Sequence, residues 1–215
     1  MKYIKKLKEP SSLVTHRLNK INQNDLTYEN LPSAVKNDIN DFLLEEQKYI
    51  CCYCMSRISR EKMRIEHWDS RSEFSDSHVI YSNLLGACTG NEGADVTHCD
   101  VHRGSIPLKI NPTSAICEQQ IKFKFVSGEI DSNDDDIKKD INETLNLNYE
   151  RLVKNRKATF DDWLKRFSQL NPQGTWTKPI LQKELEKWEN DSLTEYRPYC
   201  QIVIAYLKDK IKKAS

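Results

Sequence analysis

Cys51-Cys52-Tyr53-Cys54, Ile65-Glu66-His67-Trp68, Asn83-Leu84-Leu85-Gly86-Ala87-Cys88 and His98-Cys99-Asp100-Val101-His102-Arg103-Gly104 follow one another in this order along the chain. Cys51-x-x-Cys54 is a knuckle spacing, which lets two sulfurs reach one tetrahedral ion at about 2.3 Å each. Ten residues separate Cys88 from Cys99, so residues 89–98 must bulge as a loop if both sulfurs are to join them. His98 or Cys52 could replace one of the four ligands. Four thiolates around zinc make a closed, structural site with no open position. In so polar a segment such an ion would supply missing folding energy, on the order of 10 kcal/mol.

Inside this frame lies a carboxylate–imidazole pair. Glu66 and His67 are adjacent, and on a regular strand they would face opposite ways. A strand end or bulge can turn both toward one pocket. Glu66 could then hold a divalent cation, Mg²⁺ or Mn²⁺, while His67, with an unperturbed pKa near 6.5, acts as general base on a water. Asp100, fixed by its neighbour Cys99, is the obvious second ligand. His102 is another possible ligand, but it lies about 200° from Asp100 on a helix. Arg103 could reach a phosphate, and the Asn83 amide could orient the His67 ring.

Bulk properties narrow the class. The chain has 215 residues, of which 38% are hydrophobic and 30% charged, and no apolar run is long enough to span a membrane. No signal peptide is read at the N-terminus. Seven cysteines without a secretory signal fit a reducing cytoplasm and metal ligation better than disulfides. Net charge is +1, but lysines crowd both ends, where they could contact phosphates or simply be solvated.

The chain divides into an N-terminal arm and helix (1–48), a cysteine/histidine segment (49–112), and a small β element followed by a helical C-terminal region (113–215). Residues 1–30 read as irregular, with a break at Pro10-Ser11-Ser12. Pro32 suits the first turn of a helix over 32–48, with Val35, Ile39, Phe42 and Leu43 on one face. Ile50 to Cys54 reads as a short strand, Met63 to Trp68 as a second, and Ser82 to Ala87 as a turn or short helix. A helix starts near Asp100, and Ile121 to Val126 alternates as a strand. Leu152, Phe160, Trp163, Leu164 and Phe167 recur at helical spacing, as do Leu181, Leu185 and Trp188, then Ile202, Val203, Tyr206 and Leu207. Cys117 and Cys200 read as buried thiols. The acidic run from Asp131 lacks the sixth-position glycine of a calcium loop.

At Cys-x-Tyr-Cys, Ile-Glu-His-Trp, Tyr-Ser-Asn-Leu-Leu and His-Cys-Asp…Arg-Gly, the chain resembles the HNH, or ββα-metal, endonucleases. More closely it is similar to the PtuB-type nuclease subunits of Septu anti-phage systems and their retron-associated relatives. Leu145-Asn146-Leu147-Asn148, Leu152 and Arg156 extend the likeness into the helical region. The resemblance implies an α+β fold with a zinc-stabilised ββα-metal core. It implies His67 as general base, Asn83 as the supporting Asn, and Glu66 and Asp100 on the catalytic cation. Cys51, Cys54, Cys88 and Cys99 would hold zinc, DNA would be the substrate, and an ATPase of the PtuA type the partner. Glu66 stands where Asp is commoner, and Asp100 where Asn or His is. The alternative function is a non-catalytic zinc module that binds nucleic acid or a protein. A zinc deaminase would need His-x-Glu and Pro-Cys-x-x-Cys, and neither is present.

Overall fold

The computed structural model describes residues 1–19, 26–70, 79–174, 176–190 and 192–214. Helices and two small antiparallel sheets make the chain α+β. Helices α1 (Ser11–Asn19) and α2 (Ser33–Glu46) precede strands β1 (Met63–His67) and β2 (Leu84–Cys88) and helix α3 (Cys99–Arg103). Then come α4 (Cys117–Gln120), the strands β3 (Lys122–Phe123) and β4 (Ile130–Asp131), and α5 (Asp135–Lys139), which runs into a π-turn at Asp140–Thr144. The chain closes with α6 (Glu150–Leu170), α7 (Lys178–Glu189) and α8 (Cys200–Lys213). Among the described residues no helix is long and apolar enough to cross a membrane.

The N-terminal arm is more ordered than its composition suggests. The Pro10 carbonyl accepts the N–H groups of Leu13 and Val14 and so starts α1; the irregular reading of residues 20–25 lies outside the described residues. Met1 and Ile4 are buried in the main core. Lys2 pairs with Glu118 at 2.8 Å and Lys6 with Glu46 at 2.6 Å, so these lysines tie the arm to the fold. Pro32 stands just before α2 rather than in its first turn, and its carbonyl accepts the Lys36 N–H at 3.0 Å. Val35, Ile39 and Leu43 are buried as expected, whereas Phe42 is exposed.

Two sequence expectations change around the cysteines. Ile50 to Cys54 is not a strand but a turn closed by one bridge between Ile50 and Arg57. Ser82 to Ala87 is a 3-10 turn (Tyr81–Asn83) leading into β2, which pairs with β1 in the register Glu66↔Leu85 and His67↔Leu84. The reason is burial on both faces: every β2 residue is inaccessible, and an unbroken apolar run reads alike as a buried strand or a helix segment. Gly86 admits the Gln47 amide, which donates to the Gly86 carbonyl at 2.8 Å and accepts the Gly86 N–H at 2.6 Å. A Cβ there would lie 2.7 Å from the Met63 sulfur.

One apolar core takes in Met1, Cys51, Cys54, Cys88, Cys99, Leu145, Leu147, Trp163, Trp188 and Leu207, and so runs through all three sequence segments. A smaller one (Leu13, Val35, Ile39, Leu43, Leu84) lies under α1 and α2. The strand expected over Ile121 to Val126 shrinks to two residues. The chain closes into a hairpin turn directly after Phe123: the Lys124 N–H donates to the Glu129 carbonyl at 2.8 Å and the Gly128 N–H to the Lys124 carbonyl at 2.7 Å.

Candidate metal centre and carboxylate cleft

Cys51, Cys54, Cys88 and Cys99 come together with their four sulfurs within 4.8 Å of one another, all buried. Cys51 and Cys99 sulfurs are 4.0 Å apart, and those of Cys54 and Cys88 are 3.7 Å apart. Arms of about 2.3 Å from a tetrahedral zinc imply sulfur–sulfur edges of about 3.8 Å. Donor chemistry and spacing therefore fit a metal such as zinc. Backbone N–H groups already face the sulfurs: Cys88 donates to Cys51 at 3.3 Å and Ser56 to Cys54 at 3.5 Å. Burial raises the Cys51 thiol, but hydrogen bonds from Cys52, Cys54, Cys88 and Cys99 outweigh it and pull its pKa well below the ordinary value. His98 Nδ1 lies 3.1 Å from the Cys99 sulfur, outside the group of four, as is Cys52.

The ten-residue gap closes with help from far along the chain. Cys99 has a left-handed φ of 58°, and its N–H donates to the Leu145 carbonyl at 2.8 Å. Asn146 donates from its amide to the Thr97 carbonyl at 2.9 Å. Arg156, buried and pushed down to about 10 by desolvation, donates to the Gly128 and Leu147 carbonyls. The run Leu145-Asn146-Leu147-Asn148 thus clamps the loop that carries the last cysteine. A left-handed non-glycine residue costs about 1–3 kcal/mol, and these bonds hold Cys99 there.

Glu66 and Asp100 meet in an open cleft of about 420 Å³ lined also by Arg64, Ile65, His67, Ser70, Gly104 and Ser105. Burial pushes the Glu66 carboxyl up to about 8, the nearby Asp100 carboxylate adds to the push, and Arg103 and Tyr53 oppose it. Glu66 Oε1 accepts from the Tyr53 hydroxyl at 2.5 Å and from the Arg103 guanidinium. Arg64 Nε donates to Asp100 Oδ2 at 3.0 Å and its Nη1 to Glu92 at 2.7 Å. Each carboxylate therefore has an arginine partner.

His67 ends β1, lines the same cleft and packs edge-on against Tyr28, with ring centroids 5.4 Å apart. Asn83 grips the next turn. Its Oδ1 accepts the Asp69 N–H at 2.7 Å and its Nδ2 donates to the Asp69 carbonyl at 3.0 Å. His102 is turned elsewhere: Nε2 meets the Glu143 carbonyl at 3.1 Å and Nδ1 the Thr97 hydroxyl at 3.2 Å. Its position opposite Asp100 on α3 explains the divergence. Arg103 does not reach outward to a phosphate. It is 2% exposed and donates to Glu66, to the Trp68 carbonyl at 2.6 Å and to the Ile106 carbonyl at 2.8 Å.

Tyr53 and Arg64 are functional neighbours that the sequence reading passed over. Arg64 had a signal, since it lies two residues before Glu66 and shares its strand face. Tyr53 had none beyond its place between two cysteines. Neither a known family model nor a curated protein matches the sequence.

Proposed function

We propose that this chain is a metal-dependent HNH-type endonuclease that hydrolyses DNA phosphodiester bonds. It would act as the nuclease subunit of an anti-phage complex with an ATPase; that last part rests on the sequence resemblance alone. The observation that carries the reading is the pairing of the Glu66 and Asp100 carboxylates in an open cleft walled by His67. Tyr53 and Arg103 hold Glu66 Oε1, and the Glu66 and Asp100 carboxyls are joined by a side-chain hydrogen bond that a cation would replace. Two hard oxygen donors with open positions beside them suit Mg²⁺ or Mn²⁺. Such an ion, when bound, would stabilise charge on the phosphate. His67 takes the proton of the attacking water at a ring nitrogen. Asn83 keeps the strand end that carries His67 from unravelling, through its two bonds to Asp69. Arg103 and Tyr53 fix the Glu66 carboxylate.

A second reading is a non-catalytic zinc module. The arginine partners favour it, since Arg64 and Arg103 already engage both acids. Nicking of supercoiled plasmid by the zinc-loaded chain with its ATPase partner, in Mg²⁺, separates the two. His67→Ala is expected to cut at least about a hundred-fold more slowly with zinc content unchanged. Cleavage at the wild-type rate by that variant removes His67 from the mechanism.

A further inference from the structure

A second recess opens beside the cysteine cage. It has a volume of about 170 Å³, and its basic lining is Arg57, Lys62 and Arg151, with no acidic residue among the lining side chains. Small polar groups complete it, including Ser56, Thr89, Asn91 and Asn155. Arg57 is anchored by Glu195 at 3.0 Å and by the Tyr196 carbonyl at 2.7 Å. Lys62 and Arg151 are exposed, and neither has an ion-pair partner among the described residues. Unpaired cations around a phosphate-sized polar hollow suit a phosphate group.

The recess and the carboxylate cleft are separate hollows carried by one stretch of chain: Lys62 lines the first, and Arg64 and Glu66 line the second. Lys62 closes the 3-10 turn Arg60–Lys62 directly before β1, and within β1 Arg64 and Glu66 share a strand face. Four residues of chain keep the Lys62 Cα within at most about 14 Å of the Glu66 Cα. Arg64 lines the cleft and bonds Glu92, which follows the recess-lining residues Thr89, Gly90 and Asn91. The cage fixes this geometry, because Cys88 and His98 line the recess while Asp100 follows Cys99.

We propose that Lys62 and Arg151 form a phosphate subsite for the DNA backbone, which holds the strand on the cage side of the bond that is cut. The inference rests on the nuclease reading for its substrate but concerns binding, not hydrolysis. The test is fluorescence anisotropy of a labelled DNA duplex with the full zinc-loaded chain, without Mg²⁺, between 50 and 200 mM KCl. Lys62→Glu and Arg151→Glu are each expected to weaken binding about ten-fold and to lower the log–log salt slope by about 0.9. Lys62→Arg and Arg151→Lys are expected to bind as wild type, and so is Lys165→Glu, the same charge change at an exposed site on α6 outside the recess. Zinc content and circular dichroism confirm that each variant folds.

Affinity unchanged in the two recess variants, an equal loss in Lys165→Glu, or no DNA binding by the wild type overturns the subsite. Inorganic phosphate is added at matched ionic strength to separate backbone from free anion. It is expected not to compete, and competition that depends on Lys62 would assign the recess to free phosphate instead. Plasmid cutting is scored on the same proteins with the ATPase partner and Mg²⁺ added. Loss of binding without any wild-type cutting sinks the nuclease reading and leaves the subsite standing. Cutting with unaffected binding does the reverse.

Discussion

Glu66 is 4% exposed, touches the Arg103 guanidinium on one side and faces the Asp100 carboxylate on the other. Burial and a like charge both favour its protonated form, and its pKa of about 8 lies above the ordinary value of 4.5. The folded state therefore keeps a proton that the unfolded state releases first. Between about 4.5 and about 8 the folded chain binds more protons, so stability falls as pH rises through that window. Urea denaturation of zinc-loaded, magnesium-free protein at several pH values is expected to show this fall. Glu66→Gln, which cannot titrate, is expected to flatten it; an equally steep slope in the variant would assign the effect to another group. Glu118 behaves in the opposite sense. Burial raises its pKa, but Lys2, the Tyr3 N–H and Lys208 outweigh it and hold the carboxylate low. Its contribution is present above its unfolded pKa and disappears as pH falls through the folded value.

At the scale of elements, β1, β2 and α3 are short, and each depends on partners distant in sequence. Helix α3 starts on a left-handed cysteine and stops at Gly104, with φ 58° and ψ −125°. A Cβ at Gly104 would meet nothing within 4 Å, so substitution there isolates backbone strain. Gly104→Ala is expected to cost about 1–3 kcal/mol in thermal or urea denaturation. Asn146 supports the other end of the same unit through the Thr97 carbonyl. Asn146→Ala is expected to weaken zinc binding about 10–100-fold in a chelator competition, as loss of an orienting contact behind a ligand does. Unchanged zinc affinity would mean that the Leu145–Cys99 bond closes the loop alone. These dependencies explain what the sequence made legible. The Cys51-x-x-Cys54 knuckle, the strand ending at His67, the start of α3 and the C-terminal helices follow from local spacing and periodicity. The β2 strand, the inward turn of Arg103, the Tyr53–Glu66 bond and the clamp by Leu145 and Asn146 arise from contacts that no local pattern encodes.

Over the whole molecule, the cysteine cluster and the C-terminal helices share one apolar core, so the cage is a keystone for more than its own segment. Removing metal with a chelator is expected to lower the melting temperature and to loosen α6 and α8 along with β1 and β2. Hydrogen exchange reads this directly, and protection lost only near the cysteines would show that the helical region stands alone. The same continuity gives the carboxylate pair its meaning. Asp100 is placed by Cys99, Cys99 by the cage and by Leu145, and Glu66 by Tyr53 inside the knuckle. A rigid frame that holds two acids together at the cost of burying one is the arrangement a cation site needs, and the arginines are its competitors. Calorimetric titration of Mn²⁺ into the zinc-loaded chain tests this most directly. The account predicts one Mn²⁺ bound per chain, lost in Asp100→Ala with zinc content intact. No Mn²⁺ bound by the wild type, or undiminished binding in Asp100→Ala, would contradict it.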